Sequence, residues 1–255
     1  MAESLLLCVA RLSTFRGRQE LTAASGFFFD TGQALYLVTS RHVLHDQPSG
    51  HFPDRVDFVV HVHPQDLTRT AVVSLPLYRD GVAQWFQGTD TGGDVDVAAL
   101  RIDRALLPAG ALFYSFGPQH LLQTLDDVQV GARLLVVGFP LGFFDTVHQL
   151  PVARHATIAS AFGVRFQGQG YFLTDARLHR GTSGAPVVVR DDSLGALPWR
   201  LLGIHSTRMD IGNRDTVQDE TLGLNGAWYA DIILTLTGTQ PPSNRSEMGP
   251  RHRIA

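Results

Sequence analysis

Long amphipathic helical segments are scarce in this chain. Short runs rich in β-branched and aromatic residues recur instead, each broken off by Gly, Pro, Asp or Asn. The first half holds candidate strands at residues 5–12, 26–30, 34–39, 55–63, 71–78 and 95–102. The second half holds them at 133–139, 152–161, 170–174, 185–190, 200–206 and 227–232. Many short strands with turn chemistry between them fold as closed antiparallel barrels or as a sandwich, because those arrangements leave few open sheet edges. The stretch 104–129, with Pro108, Gly110, Gly117 and Pro118, divides the strands six and six and reads as the connection between two lobes. From residue 238 on, Gln240-Pro-Pro-Ser-Asn-Arg-Ser-Glu cannot contribute to a core, and residues 238–255 are expected to form a disordered tail.

Composition removes several chemistries. The 255 residues include no lysine, so all 21 cationic side chains are arginine. A P-loop lysine, a kinase lysine, a Schiff base and a Ser–Lys dyad are therefore excluded. A single cysteine, Cys8, excludes an intrachain disulfide, a CxxC redox site and a Cys-rich zinc module; in its apolar run it reads as a small buried hydrophobe. The formal net charge of −3 gives no overall basic footprint, so no nucleic-acid partner is expected. The apolar run after Met1 follows Glu3 and closes at Arg11, unlike a signal peptide, and no apolar run reaches membrane-spanning length. A cytoplasmic location with no membrane partner is the expectation.

Three local patterns carry chemistry. Arg180-Gly181-Thr182-Ser183-Gly184-Ala185-Pro186 runs straight into Val187-Val188-Val189. A serine between glycines permits a tight turn whose backbone N–H groups converge on one point, as acyl transfer requires beside its nucleophile. Tyr36-Leu37-Val38-Thr39-Ser40-Arg41-His42 puts a histidine just after an apolar strand, and Asp94-Val95-Asp96-Val97-Ala98 puts an aspartate at the start of another. Taken singly, these fit a Gly-Ser turn, a core histidine and a turn aspartate. A histidine, an aspartate and a serine in that order over two strand-rich lobes form a far more specific combination.

With these blocks the sequence resembles the trypsin-like serine peptidases, and within them the bacterial branch of high-temperature-requirement proteases and glutamyl endopeptidases. Ser25-Gly26-Phe27 followed by Leu37-Val38-Thr39-Ser40-Arg41-His42-Val43 is similar to that branch's histidine block, and Asp96-Val97-Ala98-Ala99-Leu100 to its aspartate strand. Val130-Gly131 through Gly138-Phe139-Pro140-Leu141-Gly142, Thr174-Asp175-Ala176, and Gly181-Thr182-Ser183-Gly184-Ala185-Pro186 resemble its later blocks. The likeness covers residues 5 to 236. Thr182 and Ala185 depart from its usual Asn and Gly but stay small enough for the turn. An appended peptide-binding domain after Ile232 is not expected.

The resemblance implies an all-β, chymotrypsin-like fold of two antiparallel six-stranded β-barrels, with lobes at 1–118 and 119–237 and the active site in the cleft between them. It further implies a serine endopeptidase acting on protein or peptide substrates without a cofactor or metal. His42 would be the general base, Asp96 its orienting acid (with Asp94 as the rival) and Ser183 the nucleophile. The N–H groups of Gly181 and Ser183 would form the oxyanion hole. Arg177, Leu178, His205 and Ser206 would line the specificity pocket. A similar Gly-x-His in the glutamyl endopeptidases makes His205 a donor to a side-chain oxygen, so cleavage after Glu, Gln or Asp is expected. Leu178 conflicts, since the glutamyl enzymes carry a hydroxyl there. The alternatives are a catalytically idle peptide-binding module on the same scaffold and an esterase on another.

Weaker signals have simpler readings. Asp30-Thr31-Gly32 and Asp90-Thr91-Gly92 mimic aspartic-protease loops but fit hairpin turns. His61 and His63 share a strand face without an evident third metal ligand, which predicts an exposed face and not a metal site.

Overall fold

The computed structural model describes residues 3–124, 128–208 and 223–239. The first lobe contains β1 (Val9–Arg16), β2 (Gln19–Asp30), β3 (Leu35–Thr39), α1 (Arg41–Leu44), β4 (Arg55–His61), β5 (Thr70–Pro76), β6 (Tyr78–Arg79), β7 (Val82–Ala83), β8 (Trp85–Phe86), β9 (Thr89–Asp90), β10 (Gly93–Asp94) and β11 (Ala98–Ile102). The second contains β12 (Arg133–Gly138), β13 (Val152–Thr157), β14 (Tyr171–Thr174), β15 (Pro186–Arg190), β16 (Trp199–Arg208), β17 (Asn225–Tyr229) and the closing α2 (Ile232–Thr237). Two curled antiparallel sheets result, ordered β5-β4-β1-β2-β3-β11-β8 and β13-β12-β15-β16-β17-β14. This is the chymotrypsin-like, all-β architecture that the sequence implies. The first sheet gains a seventh member because Phe86 and Trp85 pair with Ala99 and Leu100, a two-residue strand too short to leave an alternating pattern.

Successive side chains on a strand face opposite ways, and here both faces of the inner strands are covered. In β2, Phe27 and Phe29 enter the cluster between the lobes, while Phe28 enters the first lobe's interior. In β12, Val137 joins the shared cluster and Leu134 and Val136 fill the second lobe. Double burial explains why these strands read as unbroken apolar runs. The shared cluster joins residues from Leu5 to Leu236, so the lobes are fused along one apolar seam.

Two strand expectations shift. Residues 5–8 form turns, with Cys8 N–H donating to Leu5 O (3.1 Å), and the strand begins at Val9. At the other end β17 stops at Tyr229, and Ile232–Thr237 is helical. Its β-branched residues favour a strand, but Ile233 and Leu236 lie one helical turn apart and both seat in the shared cluster. The tail expectation for residues 240–255 lies outside the described residues. Among the described residues no helix is long and apolar enough to cross a membrane.

Candidate active site

His42 sits in α1, the single helical turn that follows β3. Two buried hydroxyls tie this corner down: Thr39 Oγ1 donates to Ser25 O (2.8 Å), and Ser40 Oγ donates to His205 O (3.2 Å) in the other lobe. Asp96 lies just before β11, between Val95 and Val97, both fully buried in the shared cluster. Asp96 itself, at a bend, faces His42. The His42 backbone N–H donates to Asp96 Oδ1 (2.8 Å) and its Nδ1–H to Oδ2 (2.7 Å). That pairing fixes the ring and leaves Nε2 as the free lone pair of the neutral imidazole. Asp94, the rival acid, is exposed and lies 3.7 Å from Arg41.

Burial resists the charged form of both partners, but their pairing outweighs it. His42 is held above its ordinary value by the hydrogen bond and charge of Asp96, with Asp46 adding to them. The Asp96 carboxyl is held below the usual range by His42 and by a hydroxyl donated from Ser206.

Ser183 lies in the turn before β15. Gly181 and Gly184 take φ of +92° and +84°, a region in which a Cβ is disfavoured, and neither has room for one. On Gly184 it would run into Ser25 O and Thr39 Oγ1; on Gly181, into Phe139 O. Leu141 N–H donates to Arg180 O (2.6 Å), and Ala185 N–H to Thr182 O (2.9 Å). A trans peptide sets its C=O and N–H in opposite directions. Pinning those two carbonyls therefore aims the N–H groups of Gly181 and Ser183 away from Leu141 and Ala185. Buried Ser25 holds the turn from the first lobe: its Oγ donates to Gly181 O (2.8 Å) and accepts from Phe139 N–H (3.0 Å), and its N–H donates to Ser183 O (3.0 Å).

The two halves meet at a β-bulge. Pairing of β16 with β17 runs His205 to Ala227 and then Thr207 to Gly226, leaving Ser206 as the extra residue. Its hydroxyl turns to Asp96, and its carbonyl accepts the Ser183 hydroxyl (3.3 Å). His42, Gly181, Ser183, Arg180, Ala24 and Phe52 then line one cleft of about 480 Å³.

The residues expected in the specificity pocket do not line this cleft. Arg177 lines a separate cavity, and Leu178 is buried in the second lobe's core. Ser206 spends its hydroxyl on Asp96. His205 is only 3% exposed, its Nδ1 has no partner, and burial pushes it down to about 3, so it is neutral in the folded protein. His61 is also buried, its Nε2 bonded to His148 O (2.7 Å), where an exposed face was expected. The bends of strands in a curled sheet cover faces that local alternation leaves open. Asp30 and Asp90 cap their own turns by accepting from Gly32 N–H (2.9 Å) and Gly92 N–H (2.7 Å). Sequence reasoning placed Ser25 and Leu141 within motifs but missed their roles, which depend on contacts across the seam or between distant loops.

Residues 24–197 match the family model described as "Trypsin-like peptidase domain". No curated protein matches the sequence. Among solved structures, the chain is similar to the serine endoprotease from Yersinia pestis, at 15% identity and a TM-score of 0.55, over 91% of this chain and 62% of that one. It therefore spans less than two thirds of that relative's length. It is also similar to an inactive form of Rv3671c from M. tuberculosis H37Rv, at 16% identity and a TM-score of 0.50, over 94% of this chain and 91% of that one. At these identities the two structures establish the shared fold.

Proposed function

We propose that this chain, which belongs to the trypsin-like peptidase domain family, is a serine endopeptidase that cleaves peptide bonds through Ser183, His42 and Asp96 by way of an acyl-enzyme. The observation that carries this reading is the His42–Asp96 pair, two hydrogen bonds deep, opening on the same cleft as Ser183. In the reaction the Ser183 hydroxyl leaves the Ser206 carbonyl and gives its proton to His42 Nε2 as Oγ attacks the substrate carbonyl. Asp96 holds the ring in the tautomer that accepts and steadies the imidazolium that forms. The N–H groups of Gly181 and Ser183 receive the developing oxyanion, each contributing about 3 kcal/mol in this type of site. Imidazolium then gives its proton to the leaving amine, and water repeats the sequence on the ester.

The proposal includes a preference for Glu, Gln or Asp before the scissile bond. It rests on the resemblance of Gly203-Ile204-His205 to the Gly-x-His of the glutamyl endopeptidases and on the unpartnered His205 Nδ1, which substrate reaches only if binding uncovers the buried ring. The ring is neutral where it lies, so once uncovered it would give a hydrogen bond and no charge, and Gln is expected to be cut as well as Glu. His205→Ala should slow cleavage after Glu and Gln more than after Ala, as read by profiling a mixed peptide library. For the reaction itself, a fluorophosphonate probe should label the wild type at Ser183 and leave folded Ser183→Ala unlabelled. Asp96→Asn should label on the order of 10⁴-fold more slowly. A folded wild type that never labels would make the chain an idle scaffold.

A further inference from the structure

A cavity of about 790 Å³ opens on the second lobe, lined by Arg133, Arg154, His155 and Arg177, with Phe143 at its rim and Asp175 its only acid. Neither His42, Gly181 nor Ser183 touches it. Arg133 on β12, Arg154 on the edge strand β13 and Arg177 before the Ser183 turn bring guanidinium side chains to this one hollow from different sides of the sheet edge. Here none of the three makes an ion pair or a hydrogen bond among the described residues. Asp175 makes no ion pair with them, its carboxylate oriented by Thr157: the Thr157 N–H donates to Oδ1 (2.6 Å) and its hydroxyl to Oδ2 (2.9 Å), so one negative charge faces three positive ones. Arg154 is half-buried and pairs in register with Val136, whose neighbours fill the lobe's core. Its charge thus stands in a less watery setting than a free surface arginine, which strengthens its attraction for an anion. The rim is the opposite in character: Phe143 is 71% exposed and Leu141, on the same loop, 69%. An aromatic ring so open to water beside a cationic hollow fits a ligand carrying both carboxylates and an apolar group.

We infer that this cavity is a docking site for an acidic peptide segment, its carboxylates on Arg133, Arg154 and Arg177 and one apolar side chain against Phe143. Guanidinium forks bind carboxylates in pairs of parallel hydrogen bonds, which gives such a hollow selectivity for the carboxylate over the amide. The site is separate from the catalytic cleft, and a protein substrate bearing such a segment is held at two places at once.

The test uses Ser183→Ala protein, so that binding is read without cleavage and independently of the serine chemistry. The probe is a fluorescein-labelled peptide containing Glu-Glu-Phe-Glu, followed by fluorescence anisotropy at low and moderate salt. The expected result is saturable binding that weakens with salt, drops at least tenfold in the Arg133→Gln/Arg154→Gln variant, and drops similarly for the Gln-Gln-Phe-Gln peptide. Phe143→Ala should weaken binding severalfold, and Arg16→Gln, in the catalytic cleft, should leave it unchanged. Unaltered fluorophosphonate labelling of the arginine variant on the Ser183 background shows that its fold is intact. Equal binding of the Glu and Gln peptides, loss with Arg16→Gln in place of the cavity variants, or no binding by the folded protein each overturns the inference. So does equally tight, Arg154-dependent binding of a short oligothymidylate, which would make the cavity a general polyanion patch.

Discussion

Replacing Ser25 by alanine removes one hydroxyl and, with it, two hydrogen bonds across the seam. The Phe139 N–H loses its acceptor (3.0 Å), and Gly181 O loses its donor (2.8 Å). Ser25 is fully buried, so water is not at hand to replace either contact. A stranded buried N–H costs about 1–3 kcal/mol, and the loss of a donor to a carbonyl about 1 kcal/mol more. The expected loss of stability is therefore about 2–4 kcal/mol, which a domain with roughly 5–15 kcal/mol in hand survives. Catalysis should suffer on its own account. Phe139 and Leu141 belong to the loop that pins Arg180 O, and Gly181 O is the far end of the same turn, so both sides of the Gly181 peptide loosen together. One oxyanion donor is worth roughly 10²–10³ in rate when removed outright; a donor loosened but still present should cost about 10–100-fold. Denaturant unfolding measures the first quantity and the rate of fluorophosphonate labelling the second. A folded Ser25→Ala protein that labels at the wild-type rate would refute the argument, since the turn would then hold its shape without this hydroxyl.

Labelling of the wild type should rise with pH through a midpoint above the ordinary histidine value near 6.5, because Asp96 favours the imidazolium that cannot act as base; a midpoint below that value contradicts the pairing. His205 acts on stability in the opposite sense. Its folded value near 3 lies below its unfolded value of 6.5, so its contribution is complete above pH 6.5. As pH falls below 6.5, the unfolded chain takes up a proton that the folded chain refuses. Stability should drop by about 1.4 kcal/mol per unit on that account, and His205→Gln should flatten the slope between pH 6 and 4 by one proton in urea titrations. Gly184→Ala should cost at least about 3 kcal/mol, from a strained φ and a Cβ forced into Ser25 and Thr39, as read by thermal unfolding; a loss under 1 kcal/mol would mean that the seam yields.

The sequence was most informative where chemistry and alternation coincide. Gly181 and Gly184 flank Ser183 because the turn needs positive φ, and that requirement is written in the residue type itself. The triple phenylalanine of β2 marks a strand covered on both faces. What could not be read depends on contacts between distant segments. Ser206 was placed on a pocket wall because its strand approaches substrate; a bulge that no residue type announces turns it to Asp96. The resemblance puts Arg177 in the same pocket, yet its side chain lines the separate cavity that Arg154 of β13 also lines. The strand expected at 227–232 stops at Tyr229, because Ile233 and Leu236, one helical turn apart, both pack into the shared cluster.

The bulge at Ser206 also sets when the proposed active site can form during folding. During synthesis the first lobe, with His42 and Asp96 already in place, emerges well before residue 206. Until β16 pairs with β17 and seats that serine, the acid lacks its third donor and the Ser183 hydroxyl lacks its resting acceptor. A nascent chain that has not yet paired these strands holds His42, Asp96 and Ser183 without the two contacts that the bulge supplies.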